Sequence, residues 1–124
     1  MDRKFVMAGL GYALVGLALG IYMAASKNHS QLVTHAHIML LGFVVSFIYG
    51  VCHRLWLQNV PVRMANLQFY IHQLGTLVLL IGLFCLFAGL VPEPILGPVL
   101  GIASVIVFSG LVLMKVMFIK YART

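Results

Sequence analysis

Four long apolar runs, separated by short polar breaks, constrain this chain more than anything else in it. They cover residues 5–25, 32–57, 67–91 and 95–119. Each is near the ~20 residues an α-helix needs to cross the hydrocarbon core of a bilayer. The breaks carry turn and stop signals: Ser26-Lys27-Asn28-His29-Ser30, then the stretch from Gln58 to Ala65 with Pro61 and Arg63, then Pro92-Glu93-Pro94. Asn28 or Ser30 is the expected cap of the second helix. Pro98 falls in the first turns of the last helix, where proline is tolerated. The first run follows Asp2-Arg3-Lys4 but exceeds a typical signal-peptide core and lacks a clear cleavage motif, so it reads as a true span. The expected fold is all-α: one transmembrane domain over residues 1–124, built as an antiparallel bundle of four transmembrane helices.

Composition agrees. The chain is 63% hydrophobic and only 8% charged, against about half and a quarter for a soluble domain. The formal charge of +6 forms no patch with interleaved aromatics, so nucleic acid is not an expected partner; the lipid bilayer is. The basic residues cluster at span ends. Arg3, Lys4, Arg54, Arg63, Lys115, Lys120 and Arg123 fall on one side of a four-span topology and only Lys27 on the other. By the positive-inside rule both termini are expected in the cytoplasm, with the chain in the cell's inner (plasma) membrane.

Small residues recur at helix-packing spacing: Gly16 and Gly20, Gly97 and Gly101, and the heptad-spaced Gly75, Gly82 and Gly89. Such stripes allow close backbone approach within a bundle or between subunits. Cys52 and Cys85 lack a CxxC spacing and read as packing residues.

The chemistry is carried by histidine. The only acids, Asp2 and Glu93, lie at ends or in loops, so a carboxylate relay or transporter coupling site is not expected. His35 and His37 instead open the second span, where an ionisable side chain is a functional candidate by default. Two residues apart on a helix, they point about 200° from each other and cannot chelate one metal. His35 and His53 are five turns apart on one face, about 27 Å along the helix. His53 and His72 are expected to approach from adjacent helices at similar depth, as a second candidate ligand pair, with Arg54 and Arg63 near enough to meet carboxylate substituents. His29 sits in a polar turn and is expected to be solvated. With no carboxylates or paired thiols to complete a small-metal site, a haem in an apolar slot suits the composition better than zinc or copper.

The stretch from His35 to Gly50, HAHIMLLGFVVSFIYG, resembles the tenth helix of the haem-copper oxidase catalytic subunit, where an H-x-H motif heads a glycine-bearing apolar run. The likeness continues through His53 and resumes at Tyr70-Ile71-His72, covering about residues 34–89. In that family one histidine of the motif ligates a low-spin haem and the other a high-spin haem, on opposite sides of the helix. The resemblance therefore implies that His35 and His37 are axial ligands to haem iron. His53 and His72 match positions that are not haem ligands in the family. That subunit is built of three four-helix arcs, and this chain looks like one arc alone, without the copper cluster or acidic proton channels. The expected protein is a small membrane haem b (protohaem) protein for electron transfer or small-gas binding. It is expected to be a homo-oligomer, a trimer or dimer, with His35, His37, His72 and His53 as cofactor-binding candidates. The alternative is a non-catalytic accessory or assembly protein of a respiratory complex.

Overall fold

The computed structural model describes residues 1–122, so Arg123 of the topology argument lies outside the described residues. Among the described residues there are four helices, α1 (Asp2–Ser26), α2 (Leu32–Leu55), α3 (Val62–Phe87) and α4 (Glu93–Tyr121), each long and apolar enough to cross a membrane. No strand occurs among the described residues.

Backbone signals, rather than the edges of the apolar runs, set the helix limits. α1 stops where Lys27 takes a left-handed conformation, φ 57°. In the turn that follows, Asn28 Oδ1 accepts the Ser30 N–H at 3.0 Å. Neither residue caps α2 as expected; Gln31 occupies the cap position with no side-chain cap bond. α3 begins at Val62, five residues before the apolar run, because Pro61 at its N-cap (φ −56°, ψ 139°) launches the helix and Arg63 and Asn66 do nothing to stop it. It ends at Phe87 instead of 91. Gly89, at φ 73°, closes a Schellman motif in which its N–H donates to Leu86 O and the Leu90 N–H to Cys85 O.

α2 is not uniform. Residues Ile38–Val45, starting immediately after His37, form a π-helix between two α-helical segments. Wide turns of this kind are rare and concentrate at functional sites.

The helices pack in two pairs, and glycines decide how. Along α1 and α2, Gly16 faces Ile38 and Met39, Gly20 faces the His35 ring, and Gly42 receives the Tyr12 ring. Along α3 and α4, Gly75 meets Ile106 and Val107, and Gly82 meets Leu100. Three glycines of the expected stripes do otherwise: Gly89 is the helix stop, Gly101 faces open space, and Gly97 meets only Glu93 of its own helix.

The exterior is apolar, and the interior sets several polar side chains among apolar ones, unlike a water-soluble fold. Ser46, Gln68, His72 and Thr76 are fully buried, whereas Leu14, Ile21 and Ile119 are more than 70% exposed. The two pairs are joined by hydrogen bonds: Tyr12 OH to Gln73 Oε1 at 2.8 Å, Gln31 Nε2 to Phe84 O at 3.0 Å, and His72 Nε2 to Leu41 O at 3.0 Å. Apolar contact adds a cluster of Phe5, Tyr49, Leu57, Met114 and Met117 at one end.

Candidate histidine site

His35 and His37 stand at the junction between the first α-turns of α2 and its π-helical segment. Both side chains are partly buried. The His35 ring lies against α1, with its Nδ1 2.8 Å from the Gly16 carbonyl oxygen. A carbonyl oxygen only accepts, so Nδ1 carries the proton and Nε2 holds the free lone pair. Gly20 makes room for the ring: a Cβ there would come within 3.0 Å of His35 Cε1.

His37 turns the other way. Its Nδ1 is 2.8 Å from the Val33 carbonyl one turn back, so the same reasoning protonates Nδ1 and frees Nε2. The side chain lines a cleft of about 360 Å³ against α3 and α4, with Leu41, Val45, Tyr49, Leu79 and Phe108 among its walls. The Ser104 hydroxyl in this cleft is already committed to the Leu100 carbonyl at 2.8 Å. Both histidines thus have the arrangement typical of metal-ligating imidazoles, in which one ring nitrogen donates to a backbone carbonyl and so fixes the tautomer and aim of the other.

His53 and His72 do not meet. The His53 ring stacks on Phe5, with centroids 5.4 Å apart and planes at 17°, while His72 packs edge-on to Tyr49 at 5.1 Å. Phe5 and Tyr49 are themselves in contact at 5.5 Å, so two aromatic rings stand between the histidines. The Leu41 carbonyl that His72 holds is roughly three turns from His53 along α2. The expected approach of the two at one depth is therefore corrected, because α3 seats His72 against the π-helical segment and not against the end of α2. His53 lines a cleft of about 440 Å³ with Asp2, Arg54 and Gln58. Arg54 reaches Asp2 at 3.7 Å across a largely exposed surface, a pair worth at most about 1 kcal/mol. His29 is exposed in the turn before α2.

No protein-family model matches the chain, and no curated protein or solved structure shows significant similarity to it. The site must be read from its own geometry. Among the described residues, no three of His, Cys, Asp or Glu come together as a metal-binding group. Any metal held here would therefore meet single imidazoles, one on each side of α2. Such a donor set fits haem, which takes one or two axial nitrogens and draws the rest of its binding from apolar contact.

Reasoning from the sequence passed over the residues that hold the site in place. Gly16 contributes a carbonyl and Gly20 a space, and neither role shows in residue type. Tyr12, Gln68 and Gln73 had a signal in principle, since amides and a phenol inside apolar runs need partners, whereas Gln31 stands just before the second run.

Proposed function

We propose that the protein is a small polytopic membrane haem b protein in which His35 and His37 are axial ligands on opposite sides of α2. The observation that carries this reading is the shared tautomer: each Nδ1–H is spent on a backbone carbonyl at 2.8 Å, leaving each Nε2 as a bare donor of electrons. The apolar outer surface supports insertion in a bilayer, and the order of contacts between α1 and α2 supports an antiparallel bundle. The positive-inside bias supports cytoplasmic termini and residence in the inner (plasma) membrane.

Neither Nε2 has a second described histidine beside it, and the His37 cleft is a half-open slot. The remaining walls and ligands come from other copies of the chain, as a homo-oligomer, dimer or trimer. Bound haem would supply reversible one-electron chemistry for electron transfer, or an iron centre at which a small gas could bind. The chain's own contribution is to aim two imidazoles, to fix their tautomers through Gly16 and Val33, and to surround them with apolar side chains that exclude water. His72 and His53 sit apart from this pair and act in the interior packing.

The test is optical. Protein purified in detergent, supplemented with protohaem, should show a Soret band with sharp α and β bands on reduction. His35→Ala and His37→Ala should each lose haem or turn it high-spin. A colourless preparation after supplementation would instead support a non-catalytic accessory or assembly role in a respiratory complex.

A further inference from the structure

Among the described residues, three buried side-chain atoms lack a hydrogen-bond partner: His53 Nε2, Gln68 Oε1 and His72 Nδ1. His53 also lines the cleft beside Asp2, where solvent reaches the neighbouring side chains. The other two belong to residues with no exposed surface, one helical turn apart on the inner face of α3.

Their bonding states follow from their neighbours. Gln68 Nε2 donates to the Gly110 carbonyl at 3.3 Å, which fixes the amide orientation and leaves Oε1 as an acceptor. His72 Nε2 donates to the Leu41 carbonyl at 3.0 Å, with the Thr76 hydroxyl oxygen at 3.4 Å as a weaker second acceptor of the same hydrogen, so the neutral ring presents Nδ1 as a bare acceptor. Two acceptors cannot satisfy each other. An imidazolium would supply the missing proton, but neither acid lies in the interior to balance it: Asp2 is beside Arg54, and Glu93 starts α4. A metal ion would find one imidazole and one amide oxygen, too few donors to displace its hydration. What two bare acceptors one turn apart require is a neutral molecule with two hydrogens to give.

We propose that Gln68 Oε1 and His72 Nδ1 share one internal water molecule, which donates a hydrogen to each. A buried water needs polar partners and is held tightly when it satisfies groups that have no other recourse. Through it the two side chains become one unit with three anchors: Leu41 in the π-helical segment of α2, Gly110 on α4, and their own helix α3. This unit fixes α2 one turn past His37 without touching either ligand. The inference does not depend on haem.

The experiment is proton-detected NMR of the haem-free protein in lipid nanodiscs, with ¹⁵N-labelled histidine and glutamine side chains. His72 is expected as the Nε2–H tautomer, with an Nδ1 shift typical of a hydrogen-bond-accepting nitrogen and an exchange cross-peak to water. In Gln68→Met the water cross-peak is lost and the Nδ1 shift moves towards that of an unbonded nitrogen, while the Nε2–H signal persists. An Nδ1-protonated ring, an absent cross-peak in the unmodified protein, or an unchanged Nδ1 signal in Gln68→Met overturns the proposal. The unmodified protein decides the matter alone if the variant does not fold.

Discussion

His35 of α2 donates its Nδ1–H to the carbonyl oxygen of Gly16, nineteen residues earlier in α1, at 2.8 Å. One bond both ties two helices together and leaves Nε2 as the free ring nitrogen. Interactions that orient a ligand in this way commonly govern metal affinity by about 10- to 100-fold. Gly20→Ala tests it without removing any donor. The new Cβ would meet His35 Cε1 at 3.0 Å and push the ring aside by a few tenths of an ångström. We expect haem affinity to fall about tenfold, read by spectrophotometric titration, with helicity by circular dichroism unchanged.

The other histidines sort by position. His29 is exposed in the turn before α2, so His29→Ala should leave the haem spectrum and thermal stability within error of the unmodified protein. A loss of haem in that variant, comparable with His37→Ala, would show that the turn takes part in binding.

Close approach at Gly42 is a structural requirement of the α1–α2 pair. An added Cβ would lie 2.5 Å from the Tyr12 ring, whereas one at Gly101 would meet nothing within 4 Å. Gly42→Ala should therefore destabilise by about 1–3 kcal/mol through overpacking, and Gly101→Ala should be neutral or slightly stabilising. Thermal unfolding of both variants in the same detergent provides the comparison.

The bond from Tyr12 OH to Gln73 Oε1 joins the two helix pairs beside an apolar cleft of about 620 Å³. Interhelical hydrogen bonds in membrane proteins couple by about 0.6 kcal/mol on average, because the separated helices find other partners. A double-mutant cycle of Tyr12→Phe and Gln73→Leu should return a coupling of that size, well below the cost of the Gly42 substitution.

Topology can be read chemically. In a background with Cys52→Ser and Cys85→Ala, a cysteine replacing Asn28 should react with a membrane-impermeant maleimide on intact cells. One replacing Arg63 should react only after permeabilisation. The opposite pattern would reverse the orientation drawn from the lysines and arginines.

Much of the architecture was legible because hydrophobic length is a crude signal that survives detail. Four apolar runs gave four helices, and only their ends moved. Those ends depend on single backbone conformations, at Lys27, Pro61 and Gly89, which composition cannot reveal. The π-helical segment was not legible either: its mix of Leu, Met, Phe, β-branched residues and Gly42 is common in membrane spans, and its wide turns arise in the packed structure. For the site, a rotation of about 100° per residue was enough to send His35 and His37 to opposite sides of α2. The relative placement of His53 and His72 was not legible, because depth along each helix alone does not set how neighbouring helices register. Their partners depend on how α3 slides against α2, and the hydrogen bond from His72 to Leu41 records that offset.

The most direct test of the account is native mass spectrometry of the detergent-solubilised protein with its bound haem. An oligomer of two or three chains that retains haem is expected, and His35→Ala and His37→Ala should each shed it. A haem-free monomer, obtained after protohaem supplementation and with the helices intact, would contradict it.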